Sequence, residues 1–369
     1  MRIVLTADAV GGVWQYATDL ASGLSALGVE TVLAAMGPPP SRQQCEAARS
    51  IPGLTLVETR LPLDWLADGP EDIAAAGRQL CELADRHAVD LVQLNAAAFG
   101  AETAFGRPVI AVAHSCVGTW WRATKDGEPD ESFRWRSELT GQGLARANLV
   151  VAPTTAFAEA TRTVHRLRDL PTTVHNGRPP SPLKPSAPHD FAFTAGRLWD
   201  KGKNIATLDR AAARLPFPLH AAGPLAGPGG DRIGLHHIHA LGPLSDGEIA
   251  SWLAARPIFV SAALYEPFGL AVLEAAAAGC PLVLSDISTF RELWQGAAAF
   301  VPATDADGFA EAVSLILRDD FARAEMGRRA QLRAADFSVE AMAGKMARLY
   351  RSVLGKTESS AGQAQVAAA

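Results

Sequence analysis

Residues 258–284 read Ile258-Phe-Val-Ser-Ala-Ala-Leu-Tyr-Glu-Pro-Phe-Gly-Leu-Ala-Val-Leu-Glu-Ala-Ala-Ala-Ala-Gly-Cys-Pro-Leu-Val-Leu284. The apolar run Ile258–Ala262 reads as a strand, the alanine-rich stretch 269–279 as a helix, and Pro281–Leu284 as a second strand. Strands that alternate with helices of this length build a parallel, doubly wound sheet. Working outward, Phe191–Ala195, Leu219–Ala222 and helices at 203–215 and 246–255 extend the same series. An earlier series precedes it. Arg2–Thr6 reads as a buried strand and Trp14–Leu27 as a helix with Tyr16, Leu20, Leu24 and Leu27 on one face. Gly28 ends that helix. Further strands are expected at Thr31–Ala35, Leu54–Val57, Leu91–Leu94, Val109–Ala113 and Leu149–Ala152, with helices at 71–87 and 131–146.

Between the two series lies Pro179-Pro-Ser-Pro-Leu-Lys-Pro185, four prolines in seven residues, which cannot continue a helix or a central strand. The expected organisation is a first α/β domain over 1–178, a linker over 179–186 and a second α/β domain over 187–340. A helix over 341–355 could cross back to the first domain, and a disordered tail is expected over 356–369. The length, 369 residues, suits two domains. In open α/β sheets ligands bind outside the carboxyl ends of strands, so function is expected in the loops after strands, facing a cleft between the domains.

Composition excludes several classes. The net charge of −5, from 34 basic and 39 acidic residues, argues against a nucleic-acid partner. No apolar run approaches the roughly 20 residues of a membrane span, and the start is a strand pattern rather than a secretory signal. A cytoplasmic protein with at most peripheral contact to the inner face of a membrane is expected. Cys45, Cys81, Cys116 and Cys280 form no CxxC pair, so neither a disulfide framework nor a zinc site is indicated, and reduced thiols fit. Of only six lysines, two, Lys201 and Lys203, share one short loop.

Three loops carry candidate chemistry. The first is Glu266-Pro-Phe268-Gly269-Leu270 through Glu274. The first N–H groups of a helix lack partners and carry the positive end of its dipole. A glycine at that end lets an anion approach closely, which suits a diphosphate. Carboxylates such as Glu266 and Glu274 accept hydrogen bonds only, which suits sugar hydroxyls. The apolar residues around Glu274 argue against a solvated face. The second loop is Gly196-Arg197-Leu-Trp-Asp-Lys201-Gly-Lys203-Asn204. Arg and Lys there can neutralise a departing nucleotide diphosphate in place of a metal ion; the spacing is not that of a P-loop. The third, Asp8-Ala-Val-Gly11-Gly12-Val-Trp14, lacks the GxGxxG dinucleotide pattern but still lets backbone approach a ligand. His114 sits at the end of a strand, where either a structural or a functional role is open. Asp305-Ala-Asp307 looks like a metal-binding Asp-x-Asp, but Asp307 reads better as a helix N-cap. The segment from Thr119 to Arg136, rich in tryptophan and arginine, fits an acceptor surface or lid as well as it fits ordinary packing.

The stretch Glu266-Pro-Phe-Gly-Leu-Ala-Val-Leu-Glu274, with Gly279-Cys-Pro281 downstream, resembles the paired-glutamate signature of glycosyltransferase family 4. The resemblance covers nearly the whole chain, the second domain more closely than the first. It implies the GT-B fold, two Rossmann-like doubly wound domains facing a cleft, and a metal-independent, retaining transferase that uses a nucleotide-sugar donor as substrate and no cofactor. It implies that Glu266 contacts the donor sugar, that Glu274 binds the ribose and that Gly269 and Leu270 offer backbone to phosphate beside Phe268. It further implies that Arg197 and a lysine hold the diphosphate. The family's pair is usually five residues apart, whereas Lys201 and Lys203 lie four and six from Arg197; Lys203 is favoured, with Lys201 the alternative. Gly11 and Gly12 correspond to a loop against donor phosphate and acceptor, His114 to a histidine near the donor sugar, and Asn176-Gly177 to a turn before the linker. The base (uridine, guanosine or adenosine), the sugar and the acceptor (sugar, lipid or small molecule) are open, as is the oligomeric state. A non-catalytic nucleotide-sugar-binding protein on the same fold, or an epimerase or phosphorylase-like enzyme, are the alternatives; a Rossmann oxidoreductase is disfavoured by the missing glycine fingerprint.

Overall fold

The structure, a computed structural model, describes residues 1–181 and 183–367. Position 182 of the expected linker and positions 368 and 369 of the expected tail lie outside the described residues. The chain forms two compact units, one of residues 1–122, 126–177 and 339 onward, the other of 123–125 and 178–338.

The first unit runs β1 (Arg2–Asp8), α1 (Gly12–Ser25), β2 (Glu30–Met36), α2 (Arg42–Arg49), β3 (Leu54–Glu58), α3 (Pro70–Arg86), β4 (Leu91–Leu94), β5 (Val109–Val112), α4 (Val117–Thr124), α5 (Glu131–Arg146), β6 (Leu149–Ala152), α6 (Thr155–His165) and β7 (Thr172–Thr173). The strands pair in the order β3-β2-β1-β4-β5-β6-β7, all parallel. Leu5 of β1 stands beside Leu33 on one side and Gln93 on the other, so chain order reverses at β1. A parallel sheet needs both faces covered, and the runs Ile3–Leu5 and Leu91–Val92 are accordingly sealed from solvent.

The second unit runs β8 (Ala192–Ala195), α7 (Ile205–Ala212), β9 (Leu219–Ala222), β10 (His239–Gly242), α8 (Asp246–Ala254), β11 (Ile258–Ser261), α9 (Leu270–Ala277), β12 (Leu282–Ser285), α10 (Ser288–Trp294), β13 (Ala299–Val301), α11 (Ala306–Leu317) and α12 (Asp320–Ala334). Its six strands, also parallel, lie in the order β10-β9-β8-β11-β12-β13, and the reversal falls at β8. Trp294, Phe290 and Phe259 fill its core. A last helix, α13 (Val339–Ala367), belongs to the first unit. Its Met346 and Tyr350 are fully buried with Leu20 and Leu24 of α1, and each such side chain contributes about 1.5–3 kcal/mol.

Several local expectations are corrected. Helix 203–215 is shorter, because Asp200 caps a separate 3-10 turn over Lys201–Lys203 by accepting from the Gly202 N–H at 2.8 Å. Asn204 then takes the left-handed conformation at φ 51° and separates that turn from α7. The N-cap of α11 is Asp305, which accepts from the Gly308 N–H at 2.9 Å; Asp307, in the first turn, pairs instead with Arg214 at 2.5 Å. Helix α13 continues through Ala367 where an irregular tail was expected from Lys356, since alanine and glutamine favour helix.

Gly143 of α5 is closely packed: a Cβ there would lie 1.8 Å from the Ala97 carbonyl oxygen. Gly143→Ala should therefore destabilise by about 1–3 kcal/mol or more through forced overpacking, lowering the urea midpoint. Gly355→Ala on α13, where nothing lies within 4 Å of the added atom, should raise the midpoint slightly, by about 0.5–1 kcal/mol of helix propensity. Equal effects from the two substitutions would contradict this packing.

Candidate functional site

In the second unit the candidate residues arise on the two loops that leave the strands on either side of the reversal. After β8 the chain passes through Gly196 and Arg197 to the Lys201–Lys203 turn; after β11 it passes through Tyr265 and Glu266 to α9. The two loops are tied together. The N–H groups of Leu264 and Tyr265 both donate to the Gly202 carbonyl, at 2.9 and 3.1 Å. The Asn204 amide donates to the carbonyls of Ala262 and Ala303, at 2.9 and 2.7 Å, and asparagine tolerates the left-handed backbone this requires.

On that frame the ammonium of Lys203 pairs with the carboxylate of Glu266. Both groups are largely buried, and with Gly196, Leu198, Ala271 and Val272 they line one small concavity. Arg197 pairs with Asp200 at 3.0 Å, with its guanidinium 5.7 Å from the Trp199 ring. Lys201 is exposed and does not line the concavity. Of the two lysines, the structure therefore brings only Lys203 to Glu266.

Gly269 is the N-cap of α9 at φ +91°, where an L side chain is strained. A Cβ there would also press to 3.1 Å on Phe290 and 3.3 Å on Glu266. The glycine thus keeps the helix start open and leaves room for Glu266, whose own carbonyl accepts from the Thr289 hydroxyl at 2.7 Å. Leu270 begins α9, so its N–H is among those without an intrahelical partner. The Phe268 side chain is a core residue, buried and edge-on to Phe337 at 5.7 Å; only its backbone is placed to meet a ligand. Glu274, within α9, is held by Arg178 at 2.7 Å, a pairing that rules out the freely solvated helix residue.

In the first unit, Gly11 is the N-cap of α1 in extended backbone with no side-chain cap, and Gly12 follows exposed. Since any residue adopts that backbone, what glycine supplies is the absence of a side chain before the helix start. Asp8 closes the loop by accepting from the Val10 N–H at 3.0 Å. His114 follows β5, half-buried, its Nε2 3.0 Å from Asn95 Oδ1 and its ring edge-on to Tyr16 at 4.3 Å. Burial pushes its pKa down to about 3. Elsewhere in the unit Asp64 is pushed up to about 6, first by burial and then by the Asp8 carboxylate, with backbone N–H groups and Arg136 pulling the other way. In the tryptophan-rich segment, Trp121 stacks at a tilt on Phe133 at 5.1 Å and Arg136 lies over Trp135 at 4.4 Å. Arg136 also donates to the Ala67 carbonyl at 2.7 Å, so part of that segment is packing.

Residue patterns did not reveal Asn95, Asp64, Asp200, Asn204 or Arg178. Arg178 carried the one available signal: it is a long cation immediately after Asn176-Gly177, at the edge of the proline-rich stretch. Among the described residues no group of three or more His, Cys, Asp or Glu could hold a metal ion.

Comparison with known proteins follows the same division. The family model described as Glycosyltransferase Family 4 matches residues 10–181, and that described as Glycosyl transferases group 1 matches residues 231–333. A phosphatidyl-myo-inositol mannosyltransferase of Mycolicibacterium smegmatis is 35% identical over 129 residues, 34% of this chain and 33% of the relative. A glycogen synthase of Mycobacterium tuberculosis is 36% identical over 113 residues, 30% of this chain and 27% of the relative. The match thus spans about a third of the curated relatives' length. Among solved structures, sucrose-phosphate synthase of Thermosynechococcus elongatus superposes with a TM-score of 0.79 at 19% identity, covering 96% of this chain and 100% of that one. HepE of Anabaena, in complex with UDP-glucose, gives 0.74 at 20% identity over 95% and 100%. Likeness along nearly the full length to these structures shows the GT-B fold, and the two family models, one on each parallel-sheet unit, mark the chain as a glycosyltransferase similar to family 4.

Proposed function

We propose that the protein is a retaining glycosyltransferase that moves a sugar from a nucleotide-sugar donor to a hydroxyl of a sugar, lipid-linked or small-molecule acceptor, without a metal ion or other cofactor. One observation carries the reading: Lys203 and Glu266 meet in a concavity at the carboxyl ends of β8 and β11, beside the open start of α9. A cation and a carboxylate side by side suit a ligand that is anionic at one end and rich in hydroxyls at the other. That is the chemistry of a sugar attached to a diphosphate.

In this reading Arg197 and Lys203 neutralise charge that builds on the leaving diphosphate, a role a metal ion fills elsewhere. The Gly269 and Leu270 amides offer further donors. Glu266 positions the donor sugar, and Glu274, oriented by Arg178, accepts from the ribose hydroxyls. Retention follows from attack on the same face as the departing diphosphate, which takes the acceptor proton, so no covalent nucleophile on the protein is required. His114 and the Gly11-Gly12 loop contribute from the first unit. Likeness to a structure holding UDP-glucose supports a nucleotide-sugar donor and makes UDP the first nucleotide to try. The absence among the described residues of a helix long and apolar enough to cross a membrane fits a cytoplasmic enzyme that meets a membrane, if at all, only peripherally.

Calorimetric titration with UDP, GDP and ADP in chelator-treated buffer should show selective binding of one nucleotide. Glu274→Ala should weaken it about tenfold or more, since a hydrogen bond to a charged group contributes about 1.5–3 kcal/mol. No binding of any nucleotide to folded protein would remove the donor-site assignment. Arg197→Ala and Glu266→Gln should each lower turnover with the matching donor by about 10²–10³, the range for losing one transition-state donor or positioning contact, with melting temperature nearly unchanged. Wild-type turnover in both would sink the catalytic assignment.

A further inference from the structure

His114 belongs to a buried polar chain whose hydrogen-bond directions can be worked out from one end. The fixed point is the backbone carbonyl of Thr6 in β1, which can only accept. It lies 2.6 Å from Asn95 Nδ2, so the Asn95 amide must donate there and cannot be turned over. The backbone of Asn95 is held as well, its N–H donating to the Thr6 hydroxyl at 2.9 Å. Asn95 Oδ1 is thereby directed the other way, where it meets Gln93 Nε2 at 3.0 Å and His114 Nε2 at 3.0 Å. The Asn95 oxygen in turn orients the Gln93 amide, because it needs a donor: Gln93 Nε2 donates to it and to Tyr16 Oη at 3.3 Å, which leaves Gln93 Oε1 to accept from the Tyr350 hydroxyl at 2.5 Å.

An amide oxygen has no proton to offer, so the proton between Asn95 and His114 must sit on the imidazole. We propose that Asn95 is a positioning residue that locks His114 as the Nε2–H tautomer and leaves Nδ1 as a lone-pair acceptor for a substrate hydroxyl. The second nitrogen is free for that purpose. Among the described residues Nδ1 has no hydrogen-bond partner, and it is not among the fully buried unpartnered atoms, so the half-buried ring leaves it within reach of a ligand. The ring has no carboxylate partner and is kept neutral by burial. A neutral acceptor at this place takes a hydroxyl and turns away a phosphate oxygen or a carboxylate, neither of which can donate. In a nucleotide-sugar substrate that selects the sugar end over the diphosphate. The chemical assignment rests on the functional reading above, whereas the tautomer rests on the hydrogen-bond chain alone.

The test is long-range proton–nitrogen correlation NMR on protein labelled with 15N-histidine at neutral pH, with the His114 signal identified by its loss in His114→Gln. The expected spectrum is that of a neutral ring protonated at Nε2. A ring protonated at Nδ1, or at both nitrogens, would overturn the proposal whether or not the protein transfers sugar. In Asn95→Ala the spectrum should change to a tautomer mixture. Turnover should then fall roughly 10–100-fold, the order of loss known where the partner that orients a metal-binding histidine is removed, while nucleotide affinity stays at the wild-type value. An Asn95→Ala protein that keeps both the pure Nε2–H spectrum and full turnover would equally refute the role of Asn95. Failure of the wild-type protein to turn over any donor, with the Nε2–H spectrum intact, would count against the functional reading and uphold the tautomer.

Discussion

In each sheet, chain order reverses beside the first strand of the unit, at β1 and at β8, and most candidate groups follow from that reversal. Where successive strands are laid down in opposite directions across a sheet, the two loops leaving the central strands turn away from each other and open a crevice. In the second unit those loops follow β8 and β11, and they are the ones that carry Arg197, Lys203, Glu266 and Gly269. In the first they follow β1 and β4, which carry Gly11, Gly12 and Asn95, with His114 one strand further on β5. The chemistry is thus placed by topology before any side chain is chosen.

What the side chains add is charge held ready without a ligand. A buried ion pair is seldom worth much for stability, because desolvation offsets most of its attraction. The pairs here are better understood as organisation. Lys203 against Glu266, Arg197 against Asp200 and Arg178 against Glu274 each fix one long side chain at the end of a strand or on the face of α9. A ligand with complementary charge then meets groups already oriented, and less conformational entropy is lost on binding.

Most of this frame was legible in residue patterns because it depends on long apolar runs. Strands β4, β6 and β9 and helix α5 lie where hydrophobic runs and helical spacing put them. The elements that patterns did not reveal are short or set by tertiary contact. Strand β7 is two residues long, too short for any periodicity, and β10 carries exposed positions on a sheet edge. Site residues split the same way. The glutamates and the arginine–lysine loop stand in a dense local motif, while Lys203, favoured over Lys201 in the sequence, is brought to Glu266 by the fold. Phe268 looked like part of the ligand site because it lies within the motif, yet its ring serves the core.

Asn95 shows why such partners escape a reading of sequence. Its relevance lies in residues 89 positions before it and 19 after it, which only the sheet brings together. Buried polar groups cost stability unless every donor and acceptor is met, and a chain of this kind must be satisfied along its length. Gln93 is fully buried inside β4, a place where leucine or valine would pack with no such demand. Tyr350, from α13 far along the chain, closes the outer end through the Gln93 carbonyl oxygen. The last helix of the chain therefore does more than bury apolar surface against α1. Its Tyr350 hydroxyl meets the Gln93 carbonyl oxygen, so the chain whose directions the Thr6 carbonyl fixes is satisfied at its far end.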